Sequence, residues 1–328
     1  MIKFISPDNK EAKRILMDPN KRLPTNALVC KISTDYFFIT GGINLSTWTH
    51  CAESYELQFQ HKTILQKDDC PYIPHGGSLY VHEMQVYLVG STQSTEQHNE
   101  ADFDPDNPPE PFKPAKFMSI DVYNKHIKPA PILRFSIARG KWKEVKISPE
   151  NLIESNGVIP ERTPDQLYLP GTCKMDNKIM FIGGLVLNKT DEEEELVSNE
   201  DIYTFDLDTR EVMLMKVKFD FGPLTELKCS RATKKRIIIL GGYNKEMNYN
   251  KLIFRYTVDL GLKAKHITLP EECRFADNNN PIGKYRFSVF FGYPLVFLTR
   301  FRTDRREYIN IAAQPPEEKK IEESKIDE

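Results

Sequence analysis

Apolar residues in this chain gather in short runs that stop at glycine. Tyr36-Phe-Phe-Ile-Thr-Gly41-Gly42, Ile179-Met-Phe-Ile-Gly183-Gly184 and Ile237-Ile-Ile-Leu-Gly241-Gly242 each end in a pair, and Val86-Tyr-Leu-Val-Gly90-Ser91 keeps only the first. Such runs, bounded by turn residues, predict β-strands. Glycine supplies the open dihedrals and the missing side chain that let a strand turn where sheets crowd together. Recurrence at four places makes the repeat, and not any single motif, the leading signal.

The residues ahead of each glycine pair repeat as well. Cys30, Cys173 and Cys229 stand 11, 10 and 12 residues before Gly41, Gly183 and Gly241, with the turn-like Ser33-Thr-Asp35, Asp176-Asn-Lys178 and Thr233-Lys-Lys235 between. The spacing predicts a hairpin whose first strand carries a small buried thiol at an equivalent place in each copy. A third strand follows a variable loop. Ile202-Tyr-Thr-Phe205-Asp206 through Val212 aligns without gaps on Phe117-Met-Ser-Ile120-Asp121 through Ile127, and Phe135-Ser136 ahead of Trp142 is a further copy. The Asp caps the coming turn and the residue beyond it opens a fourth strand. Four strands per unit result.

These features resemble the kelch repeat, whose units carry a double glycine after the second strand, an aromatic-Asp pair on the third and a Trp on the fourth. The resemblance spans roughly residues 26–312 and implies an all-β, kelch-type β-propeller of four-stranded blades. The chain departs from the pattern in three respects. Trp stands in the fourth strand only at Trp142, Val212 and Ile127 replace it elsewhere, and the last unit lacks the glycine pair. Spacing between glycines places blades near 27–66, 75–130, 131–165, 171–218, 227–270 and 283–312. Six blades are expected, or five if residues 110–146 only elaborate the second. Residues 1–26 form an amino-terminal extension, of which Lys3 to Asp18 supplies a strand that closes the ring.

Composition narrows the partners. Lys and Arg total 45 against 47 Asp and Glu, a net charge of −2, which lacks the basic excess that phosphate-backbone binding needs. Nucleic acid is not an expected partner. The apolar stretch Phe287 to Leu298 is broken by Gly292 and Pro294 and is too short to span a bilayer, so no membrane insertion is expected. The amino terminus turns charged before a signal-peptide core builds up, which predicts a cytoplasmic protein whose six cysteines, with no CxxC pair, stay reduced.

Three regions decorate the ring. An acidic, proline-rich insertion covers residues 93–114, either a flexible loop or a binding arm anchored by Phe103 and Phe112. Asp191 to Glu195 adds a solvated acidic loop, and residues 313–328 form a charged tail expected to be disordered. Arg302 and Arg305 belong to an Arg-rich stretch that either protects a strand edge or holds an acidic surface.

Catalytic signatures are missing. His50 beside Cys51, and His75 near Cys70 and His82, lack the paired spacings of a zinc site, and the glycine pairs lead into no phosphate-binding GK[ST]. No catalytic residue, cofactor or metal is expected. Kelch-like copper oxidases need a Tyr-Cys crosslink and two histidine ligands, a constellation this chain does not offer. The expected function is a non-enzymatic protein–protein interaction scaffold, a subunit of a larger assembly such as a cytoskeletal, ciliary or axonemal complex. The alternatives are a substrate-recognition module of a ubiquitin ligase, although no BTB-like domain precedes the ring, and a propeller enzyme with a small-molecule site in its central funnel. Loops after the glycine pairs, at residues 45–49, 185–195 and 243–249, should carry the contacts. Trp48, Tyr243 and Tyr249 are the aromatic anchors, with blade packing as the competing role for Trp48.

Overall fold

In the computed structural model the described residues are 2–5, 12–15, 23–24, 27–44, 49–58, 61, 63–94, 127–155, 157–189, 194–216, 227–240, 242, 252–257, 265–268, 285–290, 293–301 and 306–312. They are all-β, with several antiparallel sheets and two single 3-10 turns. Strands β1 (Ile2–Ile5) and β2 (Ala12–Ile15) pair only with each other. This amino-terminal hairpin adds no strand to another described sheet, and residues 6–11 and 16–18 of the segment expected to close the ring lie outside the described residues.

The first four-stranded sheet joins β3 (Leu28–Ser33), β4 (Tyr36–Thr40), β7 (Ser54–Gln58) and β8 (Thr63–Lys67), with a ribbon of β5 (Ile43–Asn44) and β6 (Thr49–His50) inserted after β4. Strand β9 (Pro74–His75) leads into the second sheet, of β10 (Ser78–His82), β11 (Gln85–Val89), β14 (Leu133–Ser136) and β15 (Lys141–Glu144). Between its inner and outer pairs, β12 (Thr92–Ser94) and β13 (Ile127–Pro129) build a ribbon with β9.

The third sheet contains β16 (Gly171–Met175), β17 (Lys178–Ile182), β20 (Ile202–Asp206) and β21 (Val212–Met215), and its ribbon is β18 (Leu185–Lys189) with β19 (Glu194–Ser198). The fourth has β22 (Lys228–Thr233), β23 (Arg236–Leu240), β24 (Leu252–Thr257) and β25 (Lys265–Thr268). A three-stranded sheet of β26 (Tyr285–Phe290), β27 (Tyr293–Phe301) and β28 (Arg306–Ala312) follows.

Residues 131–165 do not make a sheet of their own. β14 and β15 complete the second sheet instead, because Phe135 pairs with Val86 and then with Trp142. Phe135 thereby occupies the place that Phe205 holds between Ile179 and Val212 in the third sheet. The rival copy at 117–127 does not supply this strand. Its residue Ile127 pairs with Ser94 in the ribbon, and residues 117–126 lie outside the described set.

Burial on both faces explains the unbroken apolar runs. In β17, Ile179 and Phe181 pack with Tyr87 and Val89 of the second sheet, while Met180 and Ile182 pack with Ile237 and Ile239 of the fourth. Alternate side chains point to opposite faces of a strand, so a strand covered on both sides must be apolar throughout. The first and second sheets meet in the same way. Phe38 lies against Phe135 with ring centroids 4.6 Å apart, and Trp142 stands edge-on to both. The Trp142 indole N–H reaches Ser54 Oγ and the Asp68 carbonyl, each at 3.2 Å, so its polar edge is satisfied.

First strands of successive sheets are neighbours. β3 lies beside β10, β16 beside β22 and β22 beside β26. Between β10 and β16 the link is made by side chains, Tyr80 Oη to Thr172 Oγ1 at 3.1 Å and the Lys174 ammonium donating to the Val81 carbonyl.

The cysteine repeat needs correction. Cys30 and Cys173 pair with Phe38 and Met180, each three residues before the first glycine, and each faces the following sheet. Cys229 pairs with Ile239, two before Gly241, and Ser230 holds the equivalent place. Both β3–β4 and β22–β23 contain a register shift, so equal spacings of 11 and 11 would have been needed where the chain has 11 and 12. Because the side-chain period is two, the one-residue offset turns Cys229 back toward the third sheet.

Burial raises the Cys30, Cys70 and Cys173 thiols from 9.0 to about 12. Burial also raises Cys229, and all five described cysteines are free. Because the thiolate is the nucleophile, iodoacetamide at pH 8 should label Cys30, Cys70 and Cys173 roughly a thousandfold more slowly in the folded chain than after urea unfolding. Mass spectrometry of the labelled peptides reads this directly, and native labelling at the unfolded rate would refute the burial of that thiol.

Candidate interaction surface

Chain leaving each glycine pair forms the surface on which the sequence places the contacts. Where loops are expected at residues 45–49 and 185–195, the described residues pair as β-ribbons, β5–β6 and β18–β19, with residues 45–48 and 190–193 outside the described set, and the second sheet adds β9–β12–β13 at the same end. Backbone pairing within the ribbons satisfies donors and acceptors that an irregular loop would leave to water. The ribbon β18–β19 is further fixed on both sides. Val186 joins the core between the second and third sheets, and Leu196 packs with Tyr168.

Polar side chains tie the ribbons to the glycine turns. Asn199 Nδ2 donates to the Gly183 carbonyl at 2.9 Å and to that of Asp201, while the Asn199 amide reaches the Gly184 carbonyl. In the first sheet, Cys51 bonds the Gly42 carbonyl through its amide, and its thiol lies 3.5 Å from the same oxygen. Thr40 and Ser54 share a buried hydroxyl hydrogen bond of 2.9 Å beneath them. In the second, Ser91 and Thr92 hydroxyls both donate to the His75 carbonyl. Nothing in the sequence singles out Asn199 or Ser54, because their roles depend on chain brought back from the far side of a ribbon.

Successive sheets crowd at this end. Gly41 lies at φ +66°, and a Cβ there would stand 2.6 Å from Pro74 Cγ at the entrance to the second sheet. Gly90, at φ +64°, meets Thr172 Cγ2 of the third sheet in the same way. The expectation that glycine serves both the turn and the close approach is met at these two positions. Gly42, Gly183, Gly184 and Gly242 also have positive φ, and Gly241 lies outside the described residues.

His50 and His75, drawn from β6 and β9, bring their rings to 4.4 Å between centroids, so the ribbons of the first two sheets touch. Their neighbours Cys51 and Cys70 are buried, which separates the thiols from any shared solvent-facing ligand set. The candidate anchors Trp48, Phe103, Phe112, Tyr243, Tyr249, Arg302 and Arg305 lie outside the described residues, as do residues 95–114 of the insertion, residues 115–126 after it and the tail 313–328. Among the described residues no helix is long and apolar enough to cross a membrane.

No protein-family model matches the chain, and no curated protein matches it.

Proposed function

We propose that the chain is a kelch-type β-propeller that acts as a non-enzymatic docking platform for another intracellular protein. The observation that carries this reading is the set of tethered β-ribbons standing at one end of three successive sheets. A surface already ordered by the sheets beneath it loses little conformational freedom on binding. Ordered first strands lying side by side support a radial arrangement. Because β14 and β15 belong to the second sheet, the ring is read with five blades instead of six, the three-stranded sheet being the fifth. Nucleic acid has no part in this reading, and a cytoskeletal or ciliary assembly is the proposed setting.

Trp48 lies in the sequence between β5 and β6 and is the anchor to test first. The full chain, used as bait in native pull-down with mass spectrometry, is expected to retain a protein at a fixed stoichiometry. Trp48→Ala, or deletion of residues 96–114 of the insertion, should weaken that complex at least tenfold while the unfolding midpoint stays unchanged. Loss of the anchors without effect on any partner, or turnover of a small molecule in the central funnel, would overturn the reading.

A further inference from the structure

At the end of the sheets opposite the ribbons, three ligand-bearing side chains converge from two sheets. His82 ends β10, Glu83 follows it in the turn to β11, and Asp208 lies in the turn between β20 and β21. One ligand atom from each lies within 4.8 Å of the other two. His82 Nε2 is 2.6 Å from Asp208 Oδ1, although the two residues are 126 apart in the chain.

The carboxylate is held in place by a second layer. Asn177 Nδ2 donates to Asp208 Oδ2 at 3.0 Å and to both oxygens of Asp206 at 3.3 and 3.1 Å. Asp206 Oδ1 in turn accepts the amides of Asp208 and Thr209, which fixes the turn that presents Asp208. With Oδ2 occupied by Asn177, Oδ1 is the oxygen left facing His82. Hydrogen bonds from His82 and Asn177 hold the Asp208 carboxyl below its ordinary range. Glu83 and Asp208 are exposed and His82 is half-buried, so the cluster opens to solvent.

We propose that His82 Nε2, Glu83 and Asp208 Oδ1 bind a divalent first-row transition metal, with Zn²⁺ as the favoured ion. One imidazole and two carboxylates are a donor set of this class, and the imidazole favours such ions over Mg²⁺. Ligand atoms about 2.0–2.2 Å from one tetrahedral ion sit roughly 3.3–3.5 Å apart. The His82–Asp208 contact therefore opens by less than about 1 Å as the metal enters. Zn²⁺ takes the Nε2 lone pair, so the proton that Nε2 shares with Asp208 Oδ1 leaves that nitrogen as the metal enters, to Nδ1 or to solvent. Water fills the remaining coordination position. The metal links the turn of the second sheet to that of the third, and Asn177 acts as the positioning residue for Asp208.

The test uses the full chain, stripped with chelator and titrated calorimetrically with Zn²⁺, with Co²⁺ as a spectroscopic probe and Mg²⁺ as comparator. One equivalent of Zn²⁺ should bind, at least a hundredfold more tightly than Mg²⁺, and Co²⁺ should give visible bands of a low-coordinate site. His82→Ala and Asp208→Asn should each weaken Zn²⁺ binding tenfold or more, and Asn177→Ala about tenfold. Glu83→Gln, at an exposed turn position, provides a variant whose fold does not depend on the cluster, and it should also lose tenfold and alter the Co²⁺ spectrum. His61→Ala should leave binding unchanged. The proposal is overturned by no saturable binding below millimolar Zn²⁺, by binding that survives His82→Ala or Glu83→Gln, or by binding lost on replacing His50 or His75 instead.

Discussion

Phe38→Ala should cost about 3–5 kcal/mol of folding stability. The ring is fully buried between the first two sheets, against Phe135 and beneath the edge of Trp142. Removing it loses the transfer free energy of a phenyl group and leaves a cavity that two strand-bound aromatic neighbours cannot easily close. Urea unfolding reads the loss as a lower midpoint at unchanged slope. Phe38→Leu should cost clearly less because most of the volume remains. Val29→Ala, on the adjoining strand but 43% exposed, should stay within about 0.5 kcal/mol of the parent. Trp142 is one of two tryptophans, so its emission should also shift in Phe38→Ala. A cost below about 1 kcal/mol would mean that the first two sheets are not packed face to face as described.

Gly90→Ala is expected to cost about 2–5 kcal/mol of folding stability. Left-handed backbone costs an alanine about 1–2 kcal/mol, and overpacking adds about 1–3. The new methyl would lie 2.7 Å from Thr172 Cγ2 and 3.3 Å from Pro170 Cγ. Gly157 separates the two contributions, since it has φ +76° with nothing within 4 Å of the added carbon. Gly157→Ala should therefore show the conformational cost alone. Thr172→Ser removes the crowded methyl but keeps the hydroxyl bound to Tyr80, and in that background Gly90→Ala should be milder by about 1 kcal/mol. Equal costs at Gly90 and Gly157 would show that sheet-to-sheet crowding contributes nothing.

Local pattern made the strands readable. The run from Ile179 to Ile182, the turn at Asp176-Asn177 and the capping Asp206 each report on a few neighbouring residues, and each stands where periodicity and turn chemistry place it. Pairing over long distances was less accessible. Two segments, 117–127 and 133–142, offered similar aromatic-turn signatures, and only the pairing of Phe135 with Val86 decides between them. The cysteine spacings misled for a related reason, since a register shift consumes a residue without altering the apolar pattern. The ribbons were read as loops because β5 and β6 are two residues long and because β18 and β19 flank the polar, acidic stretch from Asn188 to Glu195.

The candidate surface was legible as a location and not as a set of contacts. Glycine pairs mark where chain leaves the sheets, yet the grip of Asn199 on Gly183 requires a ribbon to fold back over sixteen residues. The His82–Asp208 cluster has no sequence signature at all. Its members belong to different sheets, and each alone is an ordinary turn residue.

From the amino-acid order alone come the strand runs, the glycine turns and the four-strand unit, because these depend on side-chain period and backbone dihedrals within a few residues. Tertiary structure decided which third strand joins the second sheet, which face Cys229 presents, and that His82 meets Asp208. Those outcomes are set by register and by the stacking of one sheet on the next, and such contacts are chosen by the energy of the whole packed arrangement and not by any local segment.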